Sequence, residues 1–273
     1  MNGRINPMKH IFSKKNRILL VELVRTDFKL RYQGSILGYA WSLLRPLLLF
    51  LILYVVFVKF LKIGSDIPHF PVYLLFGIVI WNFFVEMTMQ SLGSIVGRGD
   101  LIRKVKIPRW IIVLSSSVSA LINLFLNLLV VLVFMIFNHV QPLQTALLLP
   151  LILFEVYLFS LGVSLFLAAS FVKYRDISYI WEVALQAGFY LTPILYSLAR
   201  ITNVTLQKVI FMSPMAQSIQ AARYAVITHQ TVTISSVFNG GWYMYIPYMI
   251  TAVTLLIGVT YFRKQSKTFA ENL

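Results

Sequence analysis

"RGDLIRKVKIPRW", residues 98–110, places five basic side chains and one acid between two long runs of Leu, Ile, Val and Phe. The flanking runs, roughly 71–95 and 109–137, each exceed the about 20 apolar residues needed to cross a hydrocarbon core. Lipid offers the backbone no hydrogen-bond partners, so such runs are expected to be helical. A charged hinge between two spanning helices has to lie at a membrane face. Basic loops are retained on the cytoplasmic side, which places this one inside.

Four further segments, roughly 36–61, 145–171, 179–198 and 243–262, satisfy the same length rule, giving six spans. The chain has 273 residues, of which 59% are hydrophobic and 12% charged, with a mean hydropathy of +0.79. A soluble domain carries about 25% charged residues, so there is too little polar surface here to coat a water-soluble globule. Eighteen of the 24 Lys and Arg residues fall in the segments that are inside if the N-terminus is cytoplasmic. Five fall outside, and Arg45 sits in the first span. The expectation is an all-α integral membrane protein with N-in, C-in topology. It reads as one domain: a cytoplasmic amphipathic segment 1–35, six spans over 36–262 and a cytoplasmic tail 263–273. The formal charge of +15 is spread across loops as a topology signal, which argues against nucleic acid as partner. No cleavable signal peptide is expected, since residues 1–17 are polar and basic and the first apolar run is too long for an h-region.

Within the opening stretch, Asp100 is a candidate N-cap and Pro108 ends any helix before it. Leu101, Ile102 and Val105 share one side, with Arg103, Lys104 and Lys106 elsewhere. Such a two-turn helix is too short to be stable alone. It is either a charged loop at the lipid headgroups or a short helix docked on a cytoplasmic protein. Residues 17–33, "RILLVELVRTDFKLRYQ", form a second amphipathic stretch. Glu22, Arg25 and Lys29 make a polar stripe and Leu20, Val21, Val24 and Phe28 an apolar one, interrupted by Asp27 and Arg31. It is expected to lie along the inner interface, as an anchor or as a surface for a peripheral partner.

The outer segment 199–242 contains "LQKVIFMSPMAQSIQAARYAVI", too apolar for a free loop and too interrupted to span. Pro214 is expected to divide it into a re-entrant or interfacial helical hairpin. Pro214, Met215 and Arg223 are candidates for an outer gate, the other reading being a lid that only packs.

Ionisable residues inside spans mark function or an internal partner. Arg45, Glu86, Glu155 and Glu182 are the candidates, with Arg45 expected near the middle of span one and paired with Glu86 or Glu182, or else lining a hydrophilic passage. Asn123 and Asn127, four apart, share a helix face and read as interhelical glue. Aromatic residues reach 15%. Among them Trp41, Phe83 and Tyr190 are candidate passage-lining residues, since flat rings suit the apolar faces of sugars. There are no cysteines, the four histidines are scattered, and no GxxxxGK[ST] loop occurs. No catalytic constellation emerges. Asn203-Val204-Thr205 matches a glycosylation acceptor, a pattern that is commonly accidental.

Five stretches together resemble the ABC-2 type permeases that export lipid-linked polysaccharides. They are "RYQGSILGYAWSLLRP" (31–46), "LIRKVKIPR" (101–109), "KYRDISYIWEVALQAGFYLTPILY" (173–196), "MSPMAQSIQAARYAV" (212–226) and the basic tail "FRKQSKTFAENL". The resemblance covers nearly the whole chain and lies in the order and spacing of the motifs. It implies a homodimer around a central passage, in a bacterial or archaeal cytoplasmic membrane, working with two copies of a separate ATPase. It implies that Asp100, Leu101, Ile102, Arg103, Lys104, Val105 and Lys106, with Glu22 and Arg25 of the N-terminal helix, contact that ATPase. ATP and Mg would be held by the partner, with no cofactor in this chain, and the cargo would be a polyprenyl-linked glycan of the O-antigen, teichoic acid or capsule type. Family members carry short helices between spans five and six, matching 200–228. Arg45 departs from the pattern, standing where the family more often has an uncharged residue before the proline. The alternatives are an ABC-2 exporter of drugs or small lipids, a membrane-embedded transferase and a structural scaffold. A transferase would need clustered acidic or His residues on one aqueous face, which are not found.

Overall fold

The computed structural model describes residues 14–32, 34–62, 67–105, 107–141 and 143–269, and no strand occurs among them. Among the described residues, five helical segments are long and apolar enough to cross a bilayer: Trp41–Phe60, Phe70–Ser94, Trp110–Phe137, Gln144–Lys173 and Trp242–Gln265. We number the helices α1 (Lys14–Tyr32), α2 (Trp41–Leu53, continued as a wider π-helical turn over Tyr54–Phe60), α3 (Phe70–Ser94), α4 (Gly99–Lys104) and α5 (Trp110–Phe137). Then follow α6 (Leu149–Lys173), α7 (Ile177–Leu191), α8 (Val204–Phe211), α9 (Pro214–Val226), α10 (Ile234–Phe238) and α11 (Ile246–Gln265).

The span expected over 179–198 is shorter as a helix. α7 has 15 residues, about 22 Å at 1.5 Å per residue, against a hydrocarbon core of about 30 Å. It stops because Pro193 disfavours helical geometry in the residue before it, and Thr192 is extended at φ −80°, ψ 136°. Residues 192–197 continue without helix.

α3 is the central element. Every residue from Val72 to Trp81 is buried, which a helix apolar on all sides allows when it is packed on all sides. α2, by contrast, buries only Pro46 and Phe50 and leaves Leu48, Leu51 and Ile52 exposed. α7 is fastened to α3 by Trp181, whose Nε1 donates to Thr88 Oγ1 at 3.1 Å, and by the rings of Trp81, Phe84, Trp181 and Phe189.

Two satellite clusters mark the ends of the bundle. At one end Leu23 of α1, Ile102 of α4, Ile111 of α5, Val172 of α6 and Phe262 of α11 pack together with Phe269. At the other, Leu198, Phe211, Ile234 and Val237 form a cluster. α6 and α11 therefore end at the same end of the molecule and run in the same direction. They approach closely, since a Cβ on Gly162 would lie 2.7 Å from the Leu255 backbone and one on Gly258 would meet the Gly162 carbonyl. Small residues at such a crossing let helices associate through backbone contact.

Candidate functional site

Three features carry polar chemistry, and the first is a basic platform at the end where α1 and α4 lie. Asp27, which breaks the apolar stripe of α1, turns inward to form an ion pair with Arg98. Ser115 Oγ of α5 lies 3.3 Å from the other Asp27 oxygen and 3.2 Å from Arg98 Nη1. Arg109 donates to the Ser266 carbonyl, joining the start of α5 to the end of α11. Leu23 of α1 is buried, while Val21, grouped with the apolar stripe, is 60% exposed. The Asp27 pair sets the helix rotation, and Leu23 lies four residues before it on the same face.

α4 is held by Ile102, which is buried, with Leu101 partly so. Asp100 is not the N-cap. Arg98 occupies that position without a side-chain cap, and Asp100 falls in the first turn, where its charge favours the helix N-terminus. Val105 leaves the helix in extended geometry and is 49% exposed, so it does not join Leu101 and Ile102 in packing. Arg103 and Lys104 are exposed, as are Glu22 and Arg25 on the same end of the molecule. Lys106, the segment 1–13, the Tyr39 side chain and residues 270–273 lie outside the described residues.

The second feature is a cavity of about 430 Å³ between α2, α3 and α5. α2 contributes Trp41, Ser42 and Arg45; α3 contributes Asn82, Glu86 and Gln90; α5 contributes Asn123 and Asn127. Each helix supplies polar residues at i, i+3 or i, i+4 spacing, so one face of each turns to the same space. Arg45 is not in the middle of the span. The helix begins at Trp41, so Arg45 lies in its second turn. Pro46 has no N–H to give the Ser42 carbonyl, and Asn127 Nδ2 donates to that carbonyl instead at 3.3 Å. Neither expected partner pairs with Arg45. Glu86 Oε1 accepts from Gln90 Nε2 at 2.7 Å and from Asn123 Nδ2. Glu182 lies on the exposed face of α7. Phe83 is buried at the cavity wall, Trp41 is 44% exposed at its rim, and Tyr190 is exposed on α7. Glu155 is buried in α6 and does not line this cavity. Asn82 and Gln90, unremarked in the sequence, were detectable as an i, i+4, i+8 row with Glu86.

The third feature is the hairpin of α8 and α9. Pro214 opens α9 at its first turn, where its missing N–H is harmless. Asn203 caps α8 by accepting from the Thr205 and Leu206 amides at 2.9 and 3.3 Å, which gives the asparagine of the Asn-Val-Thr triplet a structural role. α9 is almost wholly buried, Pro214, Met215 and Arg223 included. Arg223 is 0% exposed. It donates from Nε to the Tyr73 carbonyl at 3.0 Å, from Nη1 to Pro193 at 2.6 Å and from Nη2 to Ile194 at 2.9 Å. Its guanidinium also stacks 3.7 Å from the Tyr73 ring centroid. These partners make Arg223 a clamp between α3, α9 and the break after α7. Among the described residues no three His, Cys, Asp or Glu converge as a metal site would require.

Comparison with known proteins bears on the whole chain. Residues 19–227 match the sequence profile of the ABC-2 type transporter family. The chain is 28% identical over 256 residues to the O-antigen export system permease protein RfbA of Klebsiella pneumoniae, covering 93% of this chain and 95% of that one. It is 31% identical over 200 residues to a protein of the same name from Myxococcus xanthus, covering 73% and 76%.

Proposed function

The chain belongs to the ABC-2 type transporter family, and from that membership we propose that it is the permease subunit of an ATP-driven exporter of a lipid-linked polysaccharide. The chain is a multi-pass protein of the cytoplasmic membrane. The observation that carries the cargo reading is its similarity, over 93% of its length, to a permease named for O-antigen export. In this reading the separate ATPase docks on the basic platform, where Arg103 and Lys104 project from a helix too short to stand alone. Movement of α4 passes to α1 through the Asp27–Arg98 pair and to α5 through Ser115.

We further propose six crossings, with α7 and residues 192–197 making the fifth. Val172 packs in one end cluster and Leu198 in the other, which supports a crossing by the chain between them. A second copy of the chain completes the transporter. Glu182 and Gln186, four apart on the exposed face of α7, would be costly against lipid and need a partner helix or an aqueous passage.

The test is Arg103→Glu with Lys104→Glu. The double variant should be made and inserted normally, lose co-purification of the ATPase, and leave glycan inside the cell. Retained ATPase association with normal export would remove the docking assignment. Export of drugs or small lipids is the second reading, and unchanged surface glycan on deleting the gene would favour it.

A further inference from the structure

We propose that the cavity between α2, α3 and α5 binds the headgroup of a lipid carrying both a phosphate and sugar hydroxyls, with Arg45 taking the phosphate. This rests on the reading of the chain as a permease for a lipid-linked polysaccharide, and it assigns that cargo's headgroup to named residues. Four observations converge. Arg45 is exposed at the cavity rim, one helical turn beyond Trp41, and no described side chain hydrogen-bonds or ion-pairs with its guanidinium. A cation within a span calls for an anion or a route to the interface, and one turn is about 5.4 Å, which keeps Arg45 within reach of the headgroup layer.

The cavity's acid does not fill that role. Glu86 Oε1 is engaged by Gln90 and Asn123, leaving the guanidinium fork open for the two-oxygen geometry that phosphate offers. Asn123 Oδ1 is a buried acceptor with no hydrogen-bond partner among the described residues. It requires a donor, which an ionised phosphate lacks and a sugar hydroxyl supplies. Finally, Leu48 and Ile52, three and seven residues after Arg45, are exposed on the same face of α2. A lipid whose phosphate sits at Arg45 has an apolar track for its chain. The volume of about 430 Å³ exceeds what a bare phosphate needs and lies in the range of small-molecule sites, about 300–1,000 Å³.

The experiment uses the purified full chain in phosphatidylcholine nanodiscs, with radiolabelled polyprenyl diphosphate bearing one N-acetylhexosamine as probe. Arg45→Gln should weaken binding at least tenfold and Arg45→Lys less, because Lys keeps the charge but loses the fork. Asn123→Ala should weaken the sugar-bearing probe more than it weakens sugar-free polyprenyl diphosphate. Because the chain has no cysteine, Ser42→Cys supplies a second readout that does not depend on the other variants folding. The probe should slow its maleimide labelling at least fivefold, and an equal mole fraction of phosphatidylglycerol should not. Binding to Arg45→Gln at wild-type strength, or equal protection by phosphatidylglycerol, overturns the assignment. If deleting the gene abolishes surface glycan while Arg45→Gln binds normally, the exporter reading stands and this site falls. If surface glycan is unaffected while Arg45-dependent binding remains, the reverse holds.

Discussion

Arg223 brings three separate parts of the chain to one point: the start of α3 through the Tyr73 carbonyl, the break after α7 through Pro193 and Ile194, and its own α9. The Pro193 and Ile194 carbonyls lie outside any helix and lack intrahelical donors, and a guanidinium supplies several N–H groups in one plane. Gly77 is part of the arrangement, because a Cβ there would occupy the space of the guanidinium. Arg223→Ala should therefore destabilise the protein by at least about 1–3 kcal/mol, the cost of leaving a buried acceptor without its donor. Gly77→Ala should cost about 1–3 kcal/mol by overpacking. Both are read as lowered thermal stability in detergent. If Arg223→Ala matches the wild type, the clamp is not holding these elements together.

Among the elements, α1 and the α6–α11 seam make separate claims. α1 is fixed to the bundle by Leu23 and the Asp27–Arg98 pair. Asp27→Ala leaves Arg98 without its carboxylate, a loss of about 1–3 kcal/mol for a charged, partly buried hydrogen bond. Protease sensitivity of α1 should rise and ATPase association should fall, while the spans stay folded. The seam depends on backbone contact at Gly162 and Gly258. Gly258→Leu should reduce the yield of folded protein several-fold, because a side chain at that crossing has to displace the facing helix. A normal yield would show that the two helices separate without penalty.

For the whole molecule, the number of crossings decides which segments share a compartment. The absence of cysteine allows single-cysteine labelling against a clean background. With α7 crossing, Lys104→Cys and Lys264→Cys should react with an impermeant maleimide only after the membrane is opened, and Thr205→Cys in intact cells. Opposite sidedness of positions 104 and 264 would mean that α7 does not cross.

The sequence by itself determined that the chain is helical and membrane-embedded, because long apolar runs in lipid have to satisfy their own backbone. It also marked the short helices near 100 and over 204–226, through Pro108, Pro214 and apolar spacing. Pairings between helices were decided only by the tertiary structure. Asp27 looked like a defect in an apolar stripe until Arg98 and Ser115 were found opposite it. Arg45 invited an ion pair with Glu86, yet amides of α3 and α5 engage Glu86, and Arg45 lines the cavity they form. Arg223, a candidate for an outer gate, is fully buried and donates to carbonyls of α3 and of the break after α7. Periodicity reports which residues share a face of one helix. Which face meets which neighbour depends on contacts between residues far apart in the chain, and no local pattern encodes those.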